Sequence, residues 1–178
     1  MSADLFGAAP PSSAAAFSPC RTWRYRLERV WDPVLPRAAF ILLNPSTADE
    51  TLDDPTIRRC IGFAKSWGMG GLVLGNAFAL RSTDPYALQT HQDPVGPENN
   101  AHLAAIAAEA PDGVVVCGWG FHARLGQRGR AVIELLERAG ARPHTLKLTK
   151  WGEPGHPLYL RKDLEPMPYQ LPPIGRTR

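Results

Sequence analysis

Three polar residues interrupt otherwise apolar or stiffened stretches: Asn44 in FILLNPSTAD, Asn76 in GLVLGNAFAL and His156 in GEPGHPLYL. A carboxamide inside an apolar strand must find partners, because leaving one unpaired costs roughly 1–3 kcal/mol. Asn76 then has two readings. It bonds loop backbone and closes the sheet edge, or it offers one donor and one acceptor to a planar ligand, as an Asn reads a base edge. Asn44, ahead of Pro45, is either a turn residue or the start of a site. His156 sits where Gly and Pro hold the backbone stiffly, which suits a functional imidazole and equally a structural hydrogen bond. Ser46 and Thr47 approach a helix N-terminus, where backbone N–H groups can donate to a phosphate.

The elements that must position these residues follow from the pattern. Arg21 to Trp31 reads as a strand with mixed faces, and its crowd of arginines (Arg21, Arg24, Arg26, Arg29) reads as a solvated face. Ala38 to Leu43, Gly71 to Leu80 and Gly113 to Cys117 are apolar runs suited to strands covered on both faces. Asp54-Pro55 starts a helix, with Asp as N-cap and Pro at the first helical position. Ile57, Cys60, Ile61 and Ala64 follow at helical spacing, and Gly68, Gly70 and Gly71 stop it. Helices over Glu98 to Ala110 and Gln127 to Ala139, a loop over Leu88 to Gly96 and a last strand over Thr145 to Thr149 complete the series. Strands alternating with helices predict an α/β fold with a mainly parallel central sheet. In such folds ligands bind beyond the carboxyl ends of the strands, which is where Asn44, Asn76, Trp119 and the loop to His156 fall.

The chain of 178 residues fits one domain. Residues 1–19, rich in Ala, Ser and Pro, read as a flexible tail, 20–162 as a single α/β domain, and 163–178 as a Pro-rich tail. The formal charge of +3 permits a nucleic-acid partner without demanding one. The three cysteines lack CxxC spacing, which argues against structural zinc and suggests a reducing compartment, with Cys60 and Cys117 in the core. The opening segment has no basic n-region before an apolar core, and no stretch is long enough to span a bilayer; a cytoplasmic protein with no membrane partner is expected. No GxSxG, GxGxxG or GxxxxGK[ST] occurs, so a Ser46–His156 hydrolase, dinucleotide binding and P-loop binding lack their usual warrant. Asp49, Asp53, Asp54 and His91 are weak candidates for a metal, and no metal or cofactor is expected.

The stretches LLNPSTAD, DDPTIRRC, NAFALRSTDP and GHPLYL resemble domain-of-unknown-function family 1643, a bacterial family whose name supplies no activity. The order of motifs more distantly resembles the uracil-DNA glycosylase superfamily. Asn44-Pro45 matches that superfamily's water-positioning motif, Asn76 its base-reading Asn, VVVCGWGFHARLG its strand closing on Trp-Gly, and His156-Pro157 its final His-Pro loop. The resemblance implies a three-layer α/β/α fold and a protein that binds a nucleobase in DNA or a nucleotide and hydrolyses its N-glycosidic bond. Asn44 and His156 would be catalytic, Asn76 would read the base, and Trp67, Phe78 or Trp119 would stack on it, each having a core position as its alternative reading. Arg58, Arg59, Arg81 and Lys150 are expected near phosphates, which position a nucleic acid without reading it. The chain departs from the superfamily at Asn44, where its strongest members have Asp, at Ser46, where some have Tyr, and at Leu158, where Ser is usual. An amide orients water but cannot take its proton, so hydrolysis would be weak or absent unless Asp49, Asp53 or Asp54 serves as general base. The alternatives are a non-catalytic nucleic-acid or nucleobase-binding module and a small-molecule enzyme on a similar sheet.

Overall fold

A computed structural model describes residues 12–171. The elements run β1 (Ser12–Phe17), β2 (Arg24–Val30), β3 (Arg37–Leu42), α1 (Pro55–Ser66), β4 (Gly71–Asn76), α2 (Ala87–Thr90), α3 (Asn99–Glu109), β5 (Val114–Gly118), α4 (Arg128–Arg138), β6 (Arg142–Thr145) and β7 (Met167–Pro168). They form an α/β fold around one sheet of order β1-β2-β4-β3-β5-β6-β7. The central strands β4, β3, β5 and β6 are mutually parallel. The flanks are antiparallel: β1 on β2, β2 on β4, and β7 on β6. The sheet is therefore mixed rather than mainly parallel, because the chain before β3 and after β6 adds strands without helical crossovers.

The apolar runs are buried on both sides, as all-apolar strands require. On one face Ala38, Phe40, Leu42, Leu72 and Leu74 pack with Ile57, Cys60, Phe63 and Ala64 of α1. On the other, Ala39, Ile41, Val73, Val115 and Cys117 pack with Leu103 and Ile106 of α3 and Val132, Ile133 and Leu136 of α4. Each fully buried side chain of this size contributes roughly 1.5–3 kcal/mol. The start of α1 is local chemistry: the Asp54 carboxylate accepts from the N–H of Ile57 at 2.9 Å, and Pro55 fills the first helical position. Gly68, at φ 73°, ends the helix in the left-handed conformation.

Five expectations are corrected. The stretch assigned to an N-terminal tail contains β1, whose pairing along β2 supplies the order that an Ala- and Ser-rich segment does not advertise. The C-terminal stretch contains β7, and Tyr169 is buried beside it; residues 1–11 and 172–178 lie outside the described residues. The last parallel strand is Arg142–Thr145, earlier than expected, because Pro143 disguised it. The segment from Leu88 begins within a short helix, α2, rather than a loop.

The fifth correction bears on function. Arg24 and Arg29 are not on a solvated face; they are 2% and 5% exposed. The cause is a β-bulge. Ala16 pairs with Arg26 and Phe17 with Arg24, leaving Tyr25 as the extra residue. Tyr25 stacks on His102 and Arg26 pairs with Glu109, both on α3. Arg24 is thereby brought into phase with Leu27 and Arg29, on the face toward α1.

Candidate functional site

The parallel centre places the carboxyl ends of β3, β4, β5 and β6 on one edge. Backbone bonds from Ala77 N–H to the Leu42 carbonyl (2.7 Å) and from Phe78 N–H to the Leu43 carbonyl (2.9 Å) carry the β3–β4 pairing past the strand ends. The chain then turns at Asn44-Pro45. The Asn44 Nδ2 donates to the carbonyls of Pro45 (3.1 Å), Leu80 (3.4 Å) and Ser82 (2.9 Å), and Ser82 N–H donates back to the Pro45 carbonyl at 2.9 Å. Asn44 thus seams two strand-end loops together. The Ser46 and Thr47 hydroxyls make no hydrogen bond among the described residues, and the N-terminus of α1 behind them is occupied by Asp54's own carboxylate.

Asn76 ends β4 and is 2% exposed. Its Oδ1 accepts from Arg24 Nη2 at 3.3 Å. A guanidinium donates only, so this bond fixes the amide's orientation and leaves Nδ2 as its remaining donor; Nδ2 bonds none of the described residues. Arg24 Nη1 donates to the Ala48 carbonyl at 2.8 Å, and its Nε is buried with no partner. No carboxylate of the described residues forms an ion pair with it. Burial pushes this guanidinium down to about 10; Asp54 opposes the shift, and Arg81 and Arg29 add to it. The strand-end carbonyls are also capped. Asn99, fully buried, donates to those of Asn76 (2.9 Å) and Ala77 (3.2 Å), and Arg128 Nε donates to that of Ala77 at 2.7 Å. Arg24, Asn99 and Arg128 were missed by sequence reasoning. Only a test for a bulge in β2 could have picked out Arg24.

The acids of DETLDD are all committed. The Asp49 carboxylate accepts from the N–H groups of Thr51 (2.9 Å) and Leu52 (2.8 Å), and these bonds hold it below the usual carboxylate range. Arg21 grips Glu50 through both oxygens and pushes it down to about 2. Arg29 pairs with Asp53 at 2.8 Å and donates to the carbonyls of Asp49 and Leu52. Among the described residues no three His, Cys, Asp or Glu side chains assemble as a metal cage.

His156 arrives from β6 by a stiff loop. Gly155 N–H donates to the Lys147 carbonyl, and Gly120 N–H donates to the Pro154 carbonyl, both at 2.7 Å. Pro157 then lies against Gly118, where a Cβ would come within 2.7 Å of its Cδ; no larger residue at 118 leaves the loop in place. Arg59, from α1, donates to the Leu160 carbonyl and pins the far side. The His156 Nδ1 accepts from Leu158 N–H at 3.3 Å, which assigns the proton of the neutral ring to Nε2. Burial pushes the imidazole down to about 4, with Asp54 opposing, so the ring is neutral at pH 7. Its Nε2 bonds none of the described residues.

His156 lines a cavity of about 480 Å³ with Leu43, Trp119, Phe121, Lys147 and Tyr159. That volume suits a small heterocycle or nucleotide. Trp119 is itself 1% exposed, its Nε1 donating to Glu153 at 3.2 Å, so it forms a wall of this cavity rather than a free stacking ring. The structure therefore brings His156 and Trp119 together. Asn44, Asn76 and Asp49 do not line this cavity. Of the expected phosphate contacts, Arg58 donates to the Asp53 carbonyl and Arg59 to that of Leu160. Arg81 lies over Phe17 and reaches the Arg21 carbonyl, and Lys150 stands 4.3 Å over the Trp151 ring.

A family model described as protein of unknown function, DUF1643, matches residues 24–158. The chain belongs to this family. No curated protein and no solved structure matches the chain. The DUF1643 match spans β2 through the His156 loop, so Arg24, Asn76, Asp54 and His156 all fall inside it. No helix among the described residues is long and apolar enough to cross a membrane.

Proposed function

We propose that the chain binds a nucleobase, free, in a nucleotide or turned out of a nucleic acid, in the cavity beside His156. The observation that carries this reading is a neutral imidazole, with its proton on Nε2, on the wall of a largely apolar cavity at the carboxyl edge of parallel strands. A ring N–H donates to a base carbonyl, and the apolar wall excludes water from that bond. Helix α1 packs on one face of the sheet and α3 and α4 on the other. Asn76, held by Arg24 through Oδ1, supplies a second donor at the same edge.

Binding without efficient hydrolysis is the better-supported form of this reading. Hydrolysis of an N-glycosidic bond needs a base for water. No Asp or Glu lines the cavity, the Asn44 amide nitrogen is spent on backbone carbonyls, and Asp49 is folded onto its own loop. One observation favours weak glycosidase activity: the charge of Asp54 is felt at His156. In that case His156 would stabilise the oxygen of the departing base by an oxyanion-hole type of bond.

Calorimetric titration with uracil, thymine and their nucleotides tests the binding reading. Saturable binding that is lost in His156→Ala is expected. Failure of every base and nucleotide to bind at low salt overturns it. Base release from uracil-bearing single- and double-stranded DNA tests the second reading. Release lost in both His156→Ala and Asn76→Ala would establish a glycosidase, and no release leaves the binding module.

A further inference from the structure

We infer that the rim of the His156 cavity is a docking surface for single-stranded nucleic acid; this rests on the nucleobase reading above and names the form in which the base is presented. Four aromatic side chains are exposed among the described residues: Tyr86, Phe121, Trp151 and Tyr159. Three of them gather at this one cavity: Phe121 and Tyr159 line it, and Trp151 packs on Phe121 with ring centroids 4.6 Å apart, while Tyr86 follows the lining residue Pro85 in the chain. A soluble surface has no reason to collect its exposed rings in one place unless something covers them.

The charges say what covers them. Lys150 Nζ stands 4.3 Å from the Trp151 ring centroid, and Lys147 lines the cavity itself. Two acids of these segments are engaged. Glu153 holds the Trp119 indole and Arg124, and Asp84 caps the N–H of Tyr86. Rings interleaved with cations, with the neighbouring acids tied down, form the pattern that stacks successive bases while tracking a phosphate backbone. An apolar protein partner would gain nothing from the lysines. A duplex keeps its base faces stacked inside and offers the rings nothing.

The test is fluorescence anisotropy with a labelled oligothymidylate of about 15 nucleotides, within the range of single-module site sizes. A duplex of equal length and an oligouridylate form the comparison arms, the latter separating a DNA from an RNA preference. The single strand is expected to bind at least about tenfold tighter than the duplex, with affinity falling as salt rises. Trp151→Ala and Tyr159→Ala should each weaken it about fivefold or more, the lower end of what one base–ring stack contributes. Both side chains are exposed, so the fold is retained, which circular dichroism checks. Val34→Ala, exposed at the opposite end of β3, should change nothing. Equal or tighter duplex binding, no binding, or unchanged affinity in both ring variants overturns the inference. Loss of strand binding with free-base titration intact removes the docking surface alone; the reverse removes the cavity reading and leaves the surface.

Discussion

Replacing Arg24 by Met and Asn76 by Leu, singly and together, measures what a buried cation without a counter-ion does here. Burial pushes the Arg24 guanidinium down to about 10, a penalty on the charged form of roughly 3 kcal/mol. Because that value lies far above neutrality, the penalty is constant through the physiological range. Against it stand two charge-assisted hydrogen bonds, to the Ala48 carbonyl and the Asn76 Oδ1, at about 1.5 kcal/mol or somewhat more each. The two sides nearly cancel. Arg24→Met is therefore expected to leave stability within about 1–2 kcal/mol of the parent, as replacement of buried charge by apolar volume often does. Asn76→Leu alone removes an acceptor from a cation that already has an unpartnered Nε, and should cost about 2–3 kcal/mol. The double variant should recover part of that loss, with a coupling of roughly 1.5 kcal/mol between the sites. Urea unfolding followed by circular dichroism supplies the four free energies. A coupling within about 0.5 kcal/mol of zero would refute the claim that Arg24 orients Asn76.

Three other outcomes follow from the geometry. His156 is held down at about 4 in the folded chain against about 6.5 in the unfolded one. The unfolded chain therefore takes up its proton first as pH falls, and up to roughly 3 kcal/mol of stability is lost between about pH 6.5 and pH 4. Urea unfolding of the parent and of His156→Gln at about pH 7 and about pH 4.5 isolates this contribution; parallel profiles would count against it. Gly118→Ala places a Cβ 2.7 Å from Pro157 Cδ, so it should destabilise by about 1–3 kcal/mol and displace the His156 loop; an unchanged Tm together with unchanged ligand binding would contradict the packing. The Ser18 and Thr22 hydroxyls bring the exposed Cys20 thiol down to about 7, while Cys60 and Cys117 are buried and pushed up. A thiol reagent should modify one cysteine in the native protein with a midpoint near pH 7 and the other two only on unfolding; a midpoint above about 8.5 would go against the assignment.

What could be read in the sequence was whatever carries its own local chemistry. Asp54-Pro55 announces a helix start because cap and first turn lie within a few residues. FILL and GVVVC announce buried strands because no polar residue interrupts them. The gathering of the strand ends follows from parallel pairing, which the βαβ alternation implies. What depended on pairing with distant partners was not legible. Ser12–Phe17 is a strand only because β2 lies beside it. Arg142–Thr145 hides behind Pro143, whose carbonyl accepts from Tyr169 N–H far along the chain. Arg24 reads as one of several surface arginines until the bulge at Tyr25 reverses its direction, and that bulge is visible only in the register with β1.

Two of the polar groups left over at this edge are donors held in place. His156 Nε2 and Asn76 Nδ2 are free of the described residues, and each is fixed as a donor by what its other end accepts: Leu158 N–H at His156 Nδ1, and Arg24 at Asn76 Oδ1. The acids nearby are taken, Asp49 by its own loop, Asp53 by Arg29 and Asp54 by Ile57 N–H, whereas the buried Asn99 Oδ1 has no partner among the described residues. On the proposed reading the His156 donor would meet an acceptor, which a carbonyl-bearing base or a phosphate supplies and a cation does not. The commitment of the acids also constrains any hydrolysis. Of these acids only Asp54 is felt at His156, and it caps α1. Drawing it toward a water molecule would surrender the cap, worth about 1 kcal/mol. Catalysis through Asp54 would therefore be coupled to fraying of α1, whereas binding through His156 would leave that helix undisturbed.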